Sequence, residues 1–306
     1  MLRSTTVVKL GAAAWALIAA AVHAQGGAGD VVYVPTPQVV VDTMLTMAKV
    51  GPKDFVIDLG SGDGRIVITA AKKFGARGFG VALDEVLLKT ANESAKREGV
   101  ADRAQFIEQN LFETDLNKAT VITSYLLPEM NEKLRPKLLR LKPGTRVVAH
   151  DYHMGEWQPD DNDTLSVPEK TVGNPGTSYI FMWYVPANAA GKWQIKVPVA
   201  GHTLAVDLDF SQRFQMLNGT ARINDRPAQI QGARLRGEDV TFWLTLGSGA
   251  SAVRHEFVGR VQGDTINGTL RVHAGKKVDK AVFSAKRLAP GKIDLGAAAM
   301  PVAAAD

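Results

Sequence analysis

The stretch Phe55-Val-Ile-Asp-Leu-Gly60-Ser-Gly62-Asp-Gly64-Arg-Ile-Val-Ile68 constrains this chain more than any other. An apolar run short enough for a buried strand meets three glycines, and a helical pattern begins at once. Glycines allow a tight turn and close backbone approach, and a helix N-terminus presents unpaired N–H groups to a ligand. The spacing discriminates among ligands. A dinucleotide fingerprint requires glycine where Arg65 stands, and Gly64 comes one residue early. A P-loop requires Gly-Lys-Ser/Thr, which is absent. Asp58, at the strand end, would also repel a pyrophosphate. The geometry therefore favours an anion-poor, amine-bearing adenosine compound.

The surrounding pattern alternates. Phe55–Leu59, Gly78–Leu83, Ala104–Glu108, Val121–Thr123, Arg146–Ala149 and Tyr179–Val185 read as strands. Thr36–Lys49, Arg65–Phe74, Glu85–Glu98 and Glu129–Leu141 read as helices. This order is the mark of βαβ units on a parallel sheet, a Rossmann-like α/β domain over residues 25–186. Thr36-Pro37 predicts a threonine N-cap with proline at the first helical position, and Pro136 predicts a kink or restart in the last helix.

Beyond a linker at 187–191 the period falls to two. Leu204, Val206, Leu208 and Phe210 alternate with polar or small residues, as do Val240, Phe242, Leu244 and Leu246. Turn signals stand at Asn218-Gly219, Asn224-Asp225, Gly237-Glu238, Gly247-Ser248, Gly263-Asp264 and Asn267-Gly268. Residues 192–290 thus predict a small antiparallel β barrel or sandwich, followed by a flexible Ala-rich tail at 291–306. The formal net charge of +5 is unequally shared. Residues 25–186 carry 18 basic and 21 acidic side chains, and 187–306 carry 16 and 10. Without a basic cluster this excess does not argue for nucleic acid.

At the N-terminus, Arg3 and Lys9 precede an uncharged run from Leu10 to Val22 that ends in Val22-His23-Ala24. The run is shorter than the ~20 residues a spanning helix needs. Small residues at the −3 and −1 positions fit cleavage after Ala24, so residues 1–24 read as a signal peptide. The expectation is a periplasmic or secreted chain, membrane-anchored only if that segment is retained. There are no cysteines, which excludes disulfides, thiolate metal sites and cysteine nucleophiles.

Asp58-Leu-Gly-Ser-Gly-Asp-Gly64 resembles motif I of the class I S-adenosylmethionine-dependent methyltransferases. Tyr33-Val-Pro-Thr-Pro37 upstream and Tyr125-Leu-Leu-Pro128 downstream are most similar to the ATP-synthase c-subunit lysine methyltransferases, over about 125 residues ending at Trp157. The resemblance implies S-adenosyl-L-methionine as cofactor. It assigns Gly60, Ser61, Gly62 and Gly64 to the turn around the methionine moiety and Asp58 to its amino group. Two positions depart from the pattern. The acid that clamps the ribose is replaced by Ala82, with Asp84 two residues later. The aspartate that meets the adenine amino group is replaced by Asn110, which can still accept through its side-chain carbonyl.

Position after the fourth strand sets Tyr125 and Glu129 beside the methyl acceptor, Tyr125 to orient an amine and Glu129 to attract a lysine ammonium. A packing tyrosine and a first-turn glutamate explain them equally. His150-Asp-Tyr-His153 reads as cleft-side loop histidines rather than a metal site. The expected activity is N-methylation of a protein lysine, with a small-molecule acceptor also open. The alternative is an exported non-catalytic binding protein with a relic methyltransferase fold, whose β domain holds the ligand or partner.

Overall fold

The computed structural model describes residues 33–296. The expectations for residues 1–24 and for the last ten residues of the tail lie outside them.

Seven strands form the first sheet, in the order β3-β2-β1-β4-β5-β7-β6. β1 (Phe55–Leu59), β2 (Arg77–Ala82), β3 (Ala104–Glu108), β4 (Val121–Ser124) and β5 (Arg146–His150) run parallel. β7 (Gly176–Tyr184) lies antiparallel between β5 and β6 (Asp161–Val167). The chain works outward from β1 to β3, then returns to β4 on the other side. Such a reversal opens a crevice at the carboxyl ends of β1 and β4, where open α/β sheets bind ligands. The strands around it are buried on both faces, as parallel strands covered by helices must be.

Helices α1 (Gln38–Met47), α2 (Arg65–Phe74), α3 (Glu85–Arg97) and α4 (Pro128–Leu138) agree with the sequence pattern. Two details differ. The residue capping α1 is Pro37, without a side-chain bond. The Thr36 hydroxyl is instead 3.3 Å from His150 Nδ1, so a tertiary contact has taken the expected cap. Pro136 neither stops nor restarts α4: it forfeits one N–H bond and stands two residues from the end of the helix, so almost none of α4 lies beyond it. β6 escapes prediction altogether. It is a polar edge strand, Asp-Asn-Asp-Thr-Leu-Ser-Val, with only its last residue fully buried.

The second sheet is a closed eight-stranded antiparallel barrel. β8 (Gly191–Val199), β9 (His202–Arg213), β10 (Met216–Ile223), β11 (Arg226–Arg236), β12 (Asp239–Leu246), β13 (Val253–Gln262), β14 (Thr265–Ala274) and β15 (Lys277–Pro290) each pair with the next. β15 then pairs back with β8, which removes both edges. The alternate residues named above point inward, and Trp193, Phe210, Phe242, Phe257 and Phe283 fill the interior. Phe242 and Phe257 stack at 4.7 Å between centroids. At this strand number the lumen is just wide enough to be packed by side chains.

Two expected turns are not turns. Asn218-Gly219 lies within β10 and Asn267-Gly268 within β14. A Cβ on Gly268 would stand 2.1 Å from the Val258 carbonyl oxygen, so this glycine serves a close approach of strands rather than a reversal. Hydrogen bonds from one side chain anchor the 187–191 linker. Gln212 accepts from Ala189 N (2.8 Å) and donates to Ala187 O (2.9 Å) and Phe214 O (2.7 Å). Within the region expected to be free tail, β16 (Ile293–Asp294) pairs in parallel with β9.

Candidate active site

Leaving β1, the chain turns through Gly60, Gly62 and Gly64 at φ of 79°, 52° and 81°. Gly60 N and Ser61 N both donate to Val81 O, at 3.0 and 2.9 Å, which anchors the turn to the end of β2. At Gly64 a side chain is excluded twice over. Its φ is left-handed, and an added Cβ would lie 2.5 Å from Phe106 Cζ and 2.8 Å from Ala91 Cβ. Asp63 pairs with Arg65 (2.6 Å), whose Nη1 donates to Thr36 O (2.8 Å), tying the turn to the entry of α1.

Asp58 lies beneath this turn, 2% exposed, accepting from the Thr123 hydroxyl at 2.7 Å. Burial raises its pKa to about 7. The Thr123 bond works against that shift, and the charge of Asp63 adds to it. Ser61 Oγ and Ser124 Oγ, at the ends of the two strands that flank the crevice, are buried without a hydrogen-bond partner. A carboxyl with one partner and two unsatisfied hydroxyls fit the amino-acid end of S-adenosylmethionine, which brings both an ammonium and acceptor oxygens.

The adenosine end is less charged. Ala82 closes β2 with no carboxylate. Asp84 is not on the strand: it caps α3, its Oδ1 accepting from Leu87 N at 2.9 Å. Asn110 Oδ1 accepts from Phe112 N at 3.0 Å, so its carbonyl already holds one bond within a turn.

On the other flank, Tyr125 follows β4 directly, and its neighbour Leu126 reaches within 3.0 Å of where a Gly60 Cβ would stand. The Tyr125 hydroxyl donates to Asp151 Oδ2 at 3.1 Å, and its ring lies 3.9 Å from that of His150. Burial, the Asp151 charge and the Asp151 bond all raise the Tyr125 pKa, so the phenol stays protonated. His150 bonds Ser178 Oγ at 3.0 Å, and burial holds its pKa well below the usual value, leaving it neutral. His153 is exposed and faces the Phe181 ring at 4.0 Å. The two histidines therefore do not converge on one point. Glu129 is exposed in the first turn of α4.

Sequence reasoning missed two members of this cluster. Asp151 figured only as a conceivable metal ligand, and Lys170 not at all. Lys170 Nζ lies 2.5 Å from Asp151 Oδ2, with side-chain exposures of 3% and 0%. Nothing in a lone lysine on a polar hairpin signals such a pairing across 19 residues.

A family model described as the ANTKMT methyltransferase domain matches residues 58–161. The protein-lysine N-methyltransferase of Saccharolobus islandicus is 47% identical over 131 residues, covering 42% of this chain and 81% of that protein. The human ATP-synthase c-subunit lysine N-methyltransferase is 37% identical over 106 residues, 34% of this chain and 45% of that protein. This chain therefore spans most of the archaeal relative and less than half of the human one. A solved RNA methyltransferase from Salinibacter ruber, in complex with S-adenosyl-L-homocysteine, is 49% identical and covers 50% of this chain and 94% of its own, with a TM-score of 0.45.

Proposed function

The chain belongs to the S-adenosylmethionine-dependent lysine methyltransferases, in the family that holds the archaeal protein-lysine enzyme and the ATP-synthase c-subunit enzymes, and from that premise we propose that it methylates the side-chain amine of a lysine in a protein. S-adenosylmethionine supplies a methyl group on a sulfonium, so transfer to a neutral amine is an in-line displacement that depends on positioning and exclusion of water. Asp58 is suited to receive the cofactor's amino group, and Gly60, Gly62 and Gly64 let the backbone approach it. Ser61 and Ser124 offer hydroxyls in the same crevice. Asp84 and Asn110 stand at the adenosine end, each with one bond to the backbone already made. On the acceptor flank Tyr125 orients the amine, and Glu129 draws a cationic side chain toward the opening.

A single observation carries the reading. Two carboxylates line one sheet edge, Asp58 on the cofactor flank and Asp151, bonded to Tyr125, on the acceptor flank. Incubating the full chain with methyl-labelled S-adenosylmethionine and a cell extract, then digesting to amino acids, tests it. Label should appear as mono-, di- or trimethyl-lysine; label in nucleic acid instead would overturn the acceptor. The N-terminal sequence further supports export to the periplasm. Cell fractionation with intact-mass analysis should find a chain beginning at Gln25, and a cytosolic chain that retains residues 1–24 would refute export.

A further inference from the structure

We propose that Asp151 is the ammonium receptor of the acceptor site, and that Lys170 occupies it as an internal stand-in which an incoming lysine must displace. The inference rests on the lysine-methylating reading above. Asp151 is the first residue past β5 and has a φ of 63°, a left-handed conformation unusual for a residue with a side chain. That conformation lets its carboxylate reach in two directions. Oδ1 accepts from Tyr179 N at 3.1 Å. Oδ2 accepts from both the Tyr125 hydroxyl at 3.1 Å and Lys170 Nζ at 2.5 Å. Lys170 Nζ also donates to Thr177 O at 2.6 Å. The ammonium is thus held by a carboxylate and a carbonyl, the Tyr125 phenol shares the same Asp151 oxygen, and the Tyr152 ring stacks 6.2 Å from the Tyr125 ring.

This pocket adjoins the cofactor crevice, since Tyr125 sits between Ser124 and the Leu126 that packs on the Gly60 turn. The segment bearing Lys170 is the β6–β7 connection at 168–175, on the carboxyl side of β6. It closes over the pocket: a Cβ on Gly173 would lie 3.0 Å from Tyr125 Oη and 3.1 Å from Asp151 Oδ2. Yet Pro168, Glu169, Thr171, Val172, Gly173 and Pro175 are all exposed. Lys170 is the one fully buried side chain in the segment, so the cover is held by an ion pair rather than by apolar packing.

Simple withdrawal of Lys170 would leave a buried carboxylate without a counter-ion, which is strongly unfavourable. Exchange of one ammonium for another avoids that cost. The latch consequently yields to a cationic amine and not to a neutral alcohol or thiol. His150 Nε2 lies 3.5 Å from Asp151 Oδ1, and burial together with the Lys170 charge keeps it neutral while Lys170 is in place.

The test uses n-butylammonium as the probe and the full chain labelled with ¹⁵N-lysine. A buried, ion-paired ammonium gives a solvent-protected Nζ resonance. Titration with n-butylammonium should abolish that protection at Lys170, whereas n-butanol should not. By calorimetry, Lys170→Met should bind n-butylammonium about tenfold or more tightly than wild type, and Asp151→Asn should not bind it. A Lys170 signal that stays protected at saturating amine overturns the proposal. So does equal affinity of wild type and Lys170→Met. If that variant does not fold, the wild-type titration alone decides. S-adenosylmethionine is titrated into the same wild-type sample. Failure of the cofactor to bind counts against the methylating reading. Cofactor binding with a Lys170 that stays protected at saturating n-butylammonium counts against this inference alone.

Discussion

Asp58 and Ala82 stand at the ends of adjacent strands, and each makes a measurable claim about the cofactor. With a pKa near 7, Asp58 is about half ionised at neutral pH, and a cationic amino group binds the ionised form better. Cofactor affinity should therefore rise roughly tenfold between pH 6 and pH 8 by calorimetry, and Asp58→Asn should flatten the profile. The same shift affects stability. Between the ordinary carboxylate value of 3.8 and about 7, the folded chain keeps a proton that the unfolded chain has released. This group alone thus makes the fold less stable as pH rises through that window, by about 4 kcal/mol for about three units at ~1.4 kcal/mol each. His150 acts oppositely. Its folded pKa lies below 6.5, so the unfolded chain takes up a proton that the fold refuses, and stability falls on acidification below 6.5. Urea melts should show Asp58→Asn losing more stability than wild type from pH 6.5 to 4.5; parallel curves would contradict the raised pKa. At Ala82 the missing carboxylate is worth ~1.5–3 kcal/mol as a charge-assisted bond. Ala82→Asp should accordingly tighten S-adenosylmethionine roughly ten- to a hundred-fold, and an unchanged Kd would show that the ribose is held elsewhere.

At the scale of elements, the turn into α2 is where local and tertiary demands coincide. Gly64→Ala meets both a left-handed φ and the Phe106 and Ala91 side chains. It should cost at least about 2 kcal/mol. Gly99→Ala has a similar φ of 68° but open space around it, and should cost only about 1 kcal/mol. Comparable losses in thermal melts would mean that strain, not packing, governs the turn. This coincidence also explains why the region is so legible: α2 begins at Arg65 and ends at Phe74 as the pattern predicts. β6 is illegible for the opposite reason, because a polar edge strand makes no hydrophobic pattern. Asn218-Gly219 and Asn267-Gly268 mislead because glycine meets two needs, chain reversal and close approach of strands, that look identical in one dimension. The cofactor flank could be read because Asp58 and its glycines are contiguous. On the acceptor flank Tyr125 and Glu129 could be read from their place after β4, but the pairing of Asp151 with Lys170 could not, because the two meet only after β6 and β7 have paired.

For the whole molecule, the question is whether the barrel is an appendage or part of the enzyme's frame. Composition alone favours an appendage, since the α/β half is net acidic and the barrel basic. The contacts argue otherwise. Phe214, between β9 and β10, is 4% exposed and belongs to the core of the α/β half, stacked 6.5 Å from Trp157. The Arg135 guanidinium lies 5.7 Å from its ring and donates from Nη1 to Met154 O at 3.0 Å. Asp160 pairs with Arg234 at 3.1 Å, and Gln215 donates to Gln158 O at 2.6 Å. Every one of these partners lies on, or packs against, the segment that runs from His153 to Asp160, shortly after Asp151. The barrel thus restrains the backbone that presents Asp151 while remaining outside the crevice. Charge complementarity between the halves is used here, as Arg234 and Arg236 of the barrel meet Asp160 and Asp161. Two consequences can be separated experimentally. Calorimetry of the wild type should show one unfolding transition for both halves. Phe214→Ala should cost roughly 3–5 kcal/mol as a buried aromatic truncation and split that transition in two, because the barrel core is complete without Phe214. In the same variant S-adenosylmethionine affinity should hold, since Asp58 and the glycine turn lie on the far flank, while the rate of lysine methylation falls. A variant that unfolds in one transition and methylates at the wild-type rate would make the barrel a passenger.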